Sequence, residues 1–182
     1  MPLSSDEAAE TLRDIDRTER RSANAYGYRA GAPHLILWGV IWAIGYGIND
    51  FRPQWSAAWI PLVIAGTIGS FWIGAHTRPE NAKYDWRFTA TLAAVIAFVS
   101  ALFAIMPPHT DIQTAAFFPV LVSLFYMLMG IWTKGARIFV LGVAVGALTM
   151  VAYFKAPQQF SLWMAAVGGG GLILGGLWLR TG

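Results

Sequence analysis

Three histidines carry most of the titratable chemistry that the apolar part of this sequence offers. His34 opens the first apolar stretch and His76 closes the second, so a membrane would place both at the same face. Two histidines can ligate haem or, with carboxylates, a metal. A cytochrome b-type site sets its histidines inside the bundle, however, and no second pair is present. The reading taken is that His34 and His76 are interfacial and that there is no cofactor, with haem as the alternative. His109 and Asp111 share a loop on the other side, where an imidazole could sense protons.

The rest of the chemical inventory is thin. The chain has no cysteine, which removes disulfides, thiolate metal sites and cysteine nucleophiles. No Ser-His-Asp set, HExxH motif or intramembrane carboxylate pair occurs, so the expectation is that the protein is not an enzyme. The carboxylate nearest to a span is Asp50, at its edge, whereas proton-coupled pumps keep such groups within. Mid-membrane polarity comes from hydroxyls such as those of Thr67, Ser70, Ser100, Ser123, Tyr126 and Thr149. The run Gly168–Gly171 costs helix propensity of about 1 kcal/mol per residue against alanine. A close neighbour would offset that cost; a hinge or broken helix exposing backbone to a solute is the other reading.

These residues are positioned by six apolar stretches. The 182 residues are 56% hydrophobic and 13% charged, against about 25% charged in an ordinary soluble domain. The stretches run His34–Ile48, Ala57–Gly74, Phe88–Met106, Ala115–Trp132, Ile138–Phe154 and Phe160–Leu179. Lengths near 20 residues cross a bilayer core as helices. Residues 1–30 lack the apolar core of a cleavable signal peptide, so the first stretch is expected to be an uncleaved anchor. The predicted fold is all-α: six transmembrane helices (31–182) preceded by a charged, amphipathic cytosolic helix (1–30). Ser4 and Glu7 fit a capping box for that helix, and Pro33 suits the first turn of the next. Leu12 and Ile15, with Arg17, Arg20 and Arg21, form its candidate surface for a cytosolic partner.

Orientation follows from charge. With the N-terminus inside, only Arg52 and Lys155 of the 13 basic residues face out, a positive-inside bias that places both termini in the cytoplasm. The basic residues are thereby accounted for without nucleic acid. Trp55, Trp59 and Trp163 fall at one interface and Trp72, Trp86, Trp132 and Trp178 at the other, as an aromatic belt does.

Consecutive stretches group as three αα-hairpins, each turning through proline: Pro53, Pro107-Pro108 and Pro157. Each even stretch ends in glycine, an aromatic and a basic stop, over Gly69–Arg78, Met129–Arg137 and Leu174–Arg180. The pattern is consistent with a threefold repeat. In span number, hairpins and basic stops the chain resembles the HdeD-like family of small bacterial inner-membrane proteins. That resemblance implies an inner-membrane location and a role in acid or envelope stress, with no established molecular activity and no functional residue to carry over. The charged segment before the first stretch departs from it.

Helices in lipid pack through small residues. Stripes four apart supply them: Gly39, Ala43 and Gly47; Gly66, Ser70 and Gly74; Ala93, Ala97 and Ala101; Gly142 and Gly146; Gly171 and Gly175, after Gly168. The fourth stretch, with Phe117, Phe118, Phe125, Tyr126 and Met129, reads as the most lipid-exposed. The function expected is that of a small non-enzymatic inner-membrane protein acting through partners, lipid or self-association as a homo-oligomer. A transporter or channel for a small neutral solute or ion is the alternative, and haem binding the third.

Overall fold

The computed structural model describes the backbone of residues 5–77 and 86–181, with the side chains of Asp14, 27–77, Trp86 and 89–181. Helix α1 runs Ser5–Phe51 and leads through a 3-10 turn, Pro53–Ala58, into α2, Trp59–Thr77. Helix α3 covers Trp86–Ile105, α4 Asp111–Trp132 and α5 Ala136–Lys155. After a turn at Pro157–Gln159 the last rod comprises α6 (Phe160–Trp163), a π-helical turn (Met164–Gly169) and α7 (Gly170–Arg180). Among the described residues, Gly27–Phe51, Pro53–Thr77, Asp111–Trp132, Ala136–Lys155 and Pro157–Arg180 are long and apolar enough to cross a bilayer, and Thr89–Ile105 is a shorter apolar helix. The chain is an all-helical, multi-pass membrane protein.

Helix α1 departs from expectation. It passes through Pro33 without a break, so the charged segment and the first span are one helix of 47 residues. Proline removes one backbone hydrogen bond and crowds the carbonyl four residues back, but helices in membranes tolerate it where a neighbour packs across the gap. The gap falls at the Arg29 carbonyl, and α7 packs closely on the turn that follows it: a Cβ on Gly176 would lie 2.8 Å from the Ala32 carbonyl oxygen and 2.7 Å from the Ile36 side chain.

Two pairs of helices carry the core. The first is α1 against the last rod, antiparallel. Its α1 face is Ala32, Leu35, Gly39, Trp42 and Tyr46, stepping three and four residues; the last rod buries Phe160, Met164, Gly168, Leu172, Gly175 and Leu179, with Gly169 and Gly176 against the α1 backbone and Gly175 against Leu141 of α5. The first four of those buried positions are four residues apart, which would drift around an α-helix. The π turn, wider than an α turn, absorbs part of the drift and keeps Phe160, Met164 and Gly168 on one side. The second pair is α4 against α5. The buried positions of α5, Ile138, Gly142, Val145, Thr149 and Ala152, step four-three-four-three. Ala116, Ser123 and Gly130 of α4 lie seven apart. This is the spacing of a coiled-coil seam, built from small residues. A Cβ on Gly142 would lie 2.6 Å from the Met127 backbone nitrogen, and one on Gly130 2.5 Å from that of Phe139.

The closest packing therefore runs between the first and last rods and across the α4–α5 turn, rather than within hairpins three–four and five–six. The fourth stretch is not the loosest: its bulky Phe118, Leu124, Phe125, Leu128 and Met129 are exposed while its small residues meet α5. The exposed helices are α2, where Gly66 is the one buried residue, and α3, whose Ala93, Ala97 and Ala101 are all exposed. Helix α3 touches α4 at one end, Phe103 lying 5.1 Å from Phe117 and 6.1 Å from Phe118 between ring centroids.

Candidate functional site

The polar and aromatic groups gather at the two ends of the α1 seam. At mid-seam the backbones touch: Gly39 meets Gly169, and Trp42 lies against Gly168. The run Gly168–Gly171 does not break the helix. Gly169 and Gly170 hold helical angles, φ −62°, ψ −50° and φ −60°, ψ −40°. Gly168 and Gly169 are buried contacts, whereas nothing lies within 4 Å of a Cβ built on Gly170 or Gly171.

At the Asp50 end, four aromatic rings interlock. Tyr46 lies edge-on to Trp42 at 6.0 Å, Trp59 at 4.9 Å and Phe160 at 6.2 Å. Its hydroxyl donates to the Ala115 carbonyl at 2.6 Å, fastening α1 to α4. One turn further along the same face of α1, the Asn49 Oδ1 is buried without a hydrogen-bond partner among the described residues, as is the Trp163 Nε1 on α6. Thr149 is wholly buried and donates to the Val145 carbonyl of its own helix at 2.7 Å, beside the Met164 sulfur at 3.9 Å. Between α1 and α2, the Trp38 Nε1–H donates to Ser70 Oγ at 3.1 Å.

At the opposite end, Arg137 in the first turn of α5 joins three helices. Its guanidinium lies 5.7 Å from the centroid of the Tyr28 ring on α1 and 5.2 Å from that of Trp178 on α7. One of its N–H groups donates to the Trp178 carbonyl at 3.2 Å, an oxygen at the C-terminus of α7 that also accepts from the Thr181 N–H at 3.2 Å and the Thr181 hydroxyl at 2.8 Å. The turn just before it is a Schellman motif: Gly135 N–H donates to the Gly130 carbonyl at 2.8 Å and Lys134 N–H to that of Ile131 at 3.2 Å. Lys134 occupies the left-handed position, φ 53°.

The histidines take separate surroundings. His34 is half-buried on α1. His76 is exposed, and its ring folds back onto α2: Nδ1–H donates to the Trp72 carbonyl at 2.9 Å, with the ring centroids 4.3 Å apart. The His109 loop caps α4. Thr110 Oγ1 accepts from Gln113 N–H at 3.3 Å, while the Gln113 side-chain oxygen accepts from His109 N–H at 2.7 Å. Sequence reasoning missed this reciprocal cap, although Thr110 followed by Gln113 is its signature. Among the described residues no group of three or more His, Cys, Asp or Glu side chains could hold a metal.

The glycines fall into two sets. Gly39, Gly66, Gly142, Gly146, Gly168 and Gly175 stand against neighbouring atoms, and Gly47, Gly74 and Gly171 have none within 4 Å. Gly130, Gly169 and Gly176 are close contacts that the stripes did not single out. Leu12, Ile15, Arg17, Arg20 and Arg21 lie on the α1 backbone, and their side chains are outside the described residues. Comparison with family models, with curated proteins and with solved structures finds no match.

Proposed function

We propose that this is a non-enzymatic integral membrane protein whose bundle anchors a helical arm that docks a partner protein. The observation that carries this reading is the continuity of α1. Its candidate span begins at Gly27 and its helix at Ser5, so roughly 33 Å of helix precedes the span at 1.5 Å per residue. A helix joined rigidly to the tight α1–α7 seam transmits position in a way that a flexible tail does not. Leu12 and Ile15 are the proposed apolar contacts, flanked by Arg17, Arg20 and Arg21. In this reading the membrane is the bacterial inner membrane, both termini face the cytoplasm, and the protein works by binding. The family resemblance alone is the reason to look for the partner under envelope stress. The transporter alternative needed a broken helix at Gly168–Gly171, where the helix is continuous.

The test is removal of residues 2–26 with the bundle left intact. Proteins that co-purify from native membranes with the full chain should be lost from the truncated one, while membrane insertion and thermal stability persist. Retention of the same partners by the truncated chain would refute the arm's role.

A further inference from the structure

The Arg137 end of the bundle concentrates positive charge, and among the described residues no carboxylate lies beside it. Arg29 follows Tyr28 on α1, Lys134 precedes the Gly135 that packs on Tyr28, and Arg180 lies two residues beyond Trp178 on α7; all three are exposed. Arg137 is held among them by two rings and one carbonyl. A guanidinium has five N–H donors in a planar fork suited to phosphate, and one of Arg137's is taken. The carboxylates with described side chains are Asp14, Asp50 and Asp111. Asp50 and Asp111 lie at the other end of the spans, beside the Tyr46–Ala115 bond. Asp14 is 14 residues before Tyr28 on α1, roughly 21 Å along the helix.

We propose that the junction of α1, α5 and α7 binds the phosphodiester of an anionic phospholipid, with Arg137 as the fixed fork and Lys134 and Arg180 as flanking cations. Depth selects a lipid over a free anion. The cations sit where the candidate spans Gly27–Phe51, Ala136–Lys155 and Pro157–Arg180 begin or end, which is headgroup level. Tyr28 and Trp178 are the ring types that settle there, and basic sites between helices at that depth hold anionic headgroups. Arg137 would be doubly constrained, by the rings from within and by the phosphate from outside, so the lipid would clamp α1, α5 and α7 together. The proposal does not depend on the N-terminal arm having a partner.

The experiment is native mass spectrometry of the full chain in detergent with equal phosphatidylglycerol and phosphatidylcholine. Phosphatidylglycerol should be retained at least roughly fivefold over phosphatidylcholine, as expected for contact with one or more surface cations. The double variant Lys134→Gln/Arg180→Gln should lose most of that preference. The matched variant Arg52→Gln/Lys155→Gln, with the same charge change at the opposite end, should keep it. Melting in phosphatidylcholine alone verifies that both variants fold, and the wild-type ratio is informative without either. Equal retention of the two lipids by the wild type would overturn the proposal. So would equal losses in both double variants, which would indicate bulk charge. Displacement of phosphatidylglycerol by an equal concentration of inorganic phosphate would overturn it as well, since the site would then take a free anion.

Discussion

Gly39 and Gly169 face each other so closely that neither can carry a side chain. A Cβ on Gly39 would lie 2.7 Å from the Gly169 carbonyl oxygen, and one on Gly169 would lie 2.8 Å from that of Gly39. The obstruction is backbone on both sides, which cannot swing away as a side chain can. Lipid supplies no hydrophobic drive between helices, so this contact depends on dispersion at close range.

Substitution at that contact is therefore expected to be costly and asymmetric along the glycine run. Gly39→Ala or Gly169→Ala should destabilise the bundle by about 1–3 kcal/mol, the range of core overpacking. Gly171→Ala meets nothing within 4 Å and should stabilise by up to about 1 kcal/mol through helix propensity. Thermal unfolding in a neutral detergent measures both. A fall for Gly171→Ala equal to that for Gly169→Ala would mean that the seam extends further than the described contact.

The polar groups at the Asp50 end allow a paired test. Tyr46 of α1 donates to the Ala115 carbonyl of α4 at 2.6 Å, so Tyr46→Phe removes that tie and should cost about 1 kcal/mol. Asn49 Oδ1 is buried with no partner among the described residues, so Asn49→Leu, similar in volume, removes an unmet desolvation cost and should raise the melting temperature. A loss of stability in Asn49→Leu would show that a water or solute bonds to Oδ1 in solution.

The spans were legible because bilayer thickness and apolar run length are properties of one dimension. Partner choice was not, because it depends on which face of a helix meets which neighbour. Gly39 and Gly47 belong to one stripe, yet Gly39 touches Gly169 and Gly47 touches nothing within 4 Å. The fourth stretch misled through its total of bulky residues. What decides its packing is Ala116, Ser123 and Gly130 at heptad spacing, a signal present in the sequence and hidden by the aromatics between. Pro33 fits a local rule for helix starts, yet the helix runs through it and α7 packs on the turn that follows. Arg137 read as a basic stop, because nothing local in the sequence brings Tyr28 and Trp178 to the same guanidinium.

Arg137 itself should resist conservative replacement. A lysine keeps the charge but loses the planar face between Tyr28 and Trp178, along with the fork that reaches the Trp178 carbonyl. Arg137→Lys should lower stability by about 1 kcal/mol, the scale of an interfacial cation–π contact. A stability equal to wild type, in unfolding at low and high salt alike, would reduce Arg137 to a topological charge.

Lys134 offers the reverse case, a position where removing a side chain should help. Its φ of 53° lies in the left-handed region, where a Cβ crowds the following carbonyl by roughly 1–2 kcal/mol. The Schellman bonds from Gly135 to Gly130 and from Lys134 to Ile131 hold it there, because the chain must reverse at once for α5 to lie along α4. Glycine is the residue that this position favours. Lys134→Gly should therefore raise stability by about 1 kcal/mol in a neutral detergent, where no anionic lipid offsets the lost charge. Lys134→Ala separates the causes: it removes the same charge and keeps the Cβ, so it should gain little. If alanine stabilises as much as glycine, the benefit comes from relieving repulsion among Arg29, Arg137 and Arg180, and the backbone at Lys134 is not the source. If glycine alone stabilises, the lysine is retained against its conformational preference, as a cation needed at the α5 end of the bundle would be.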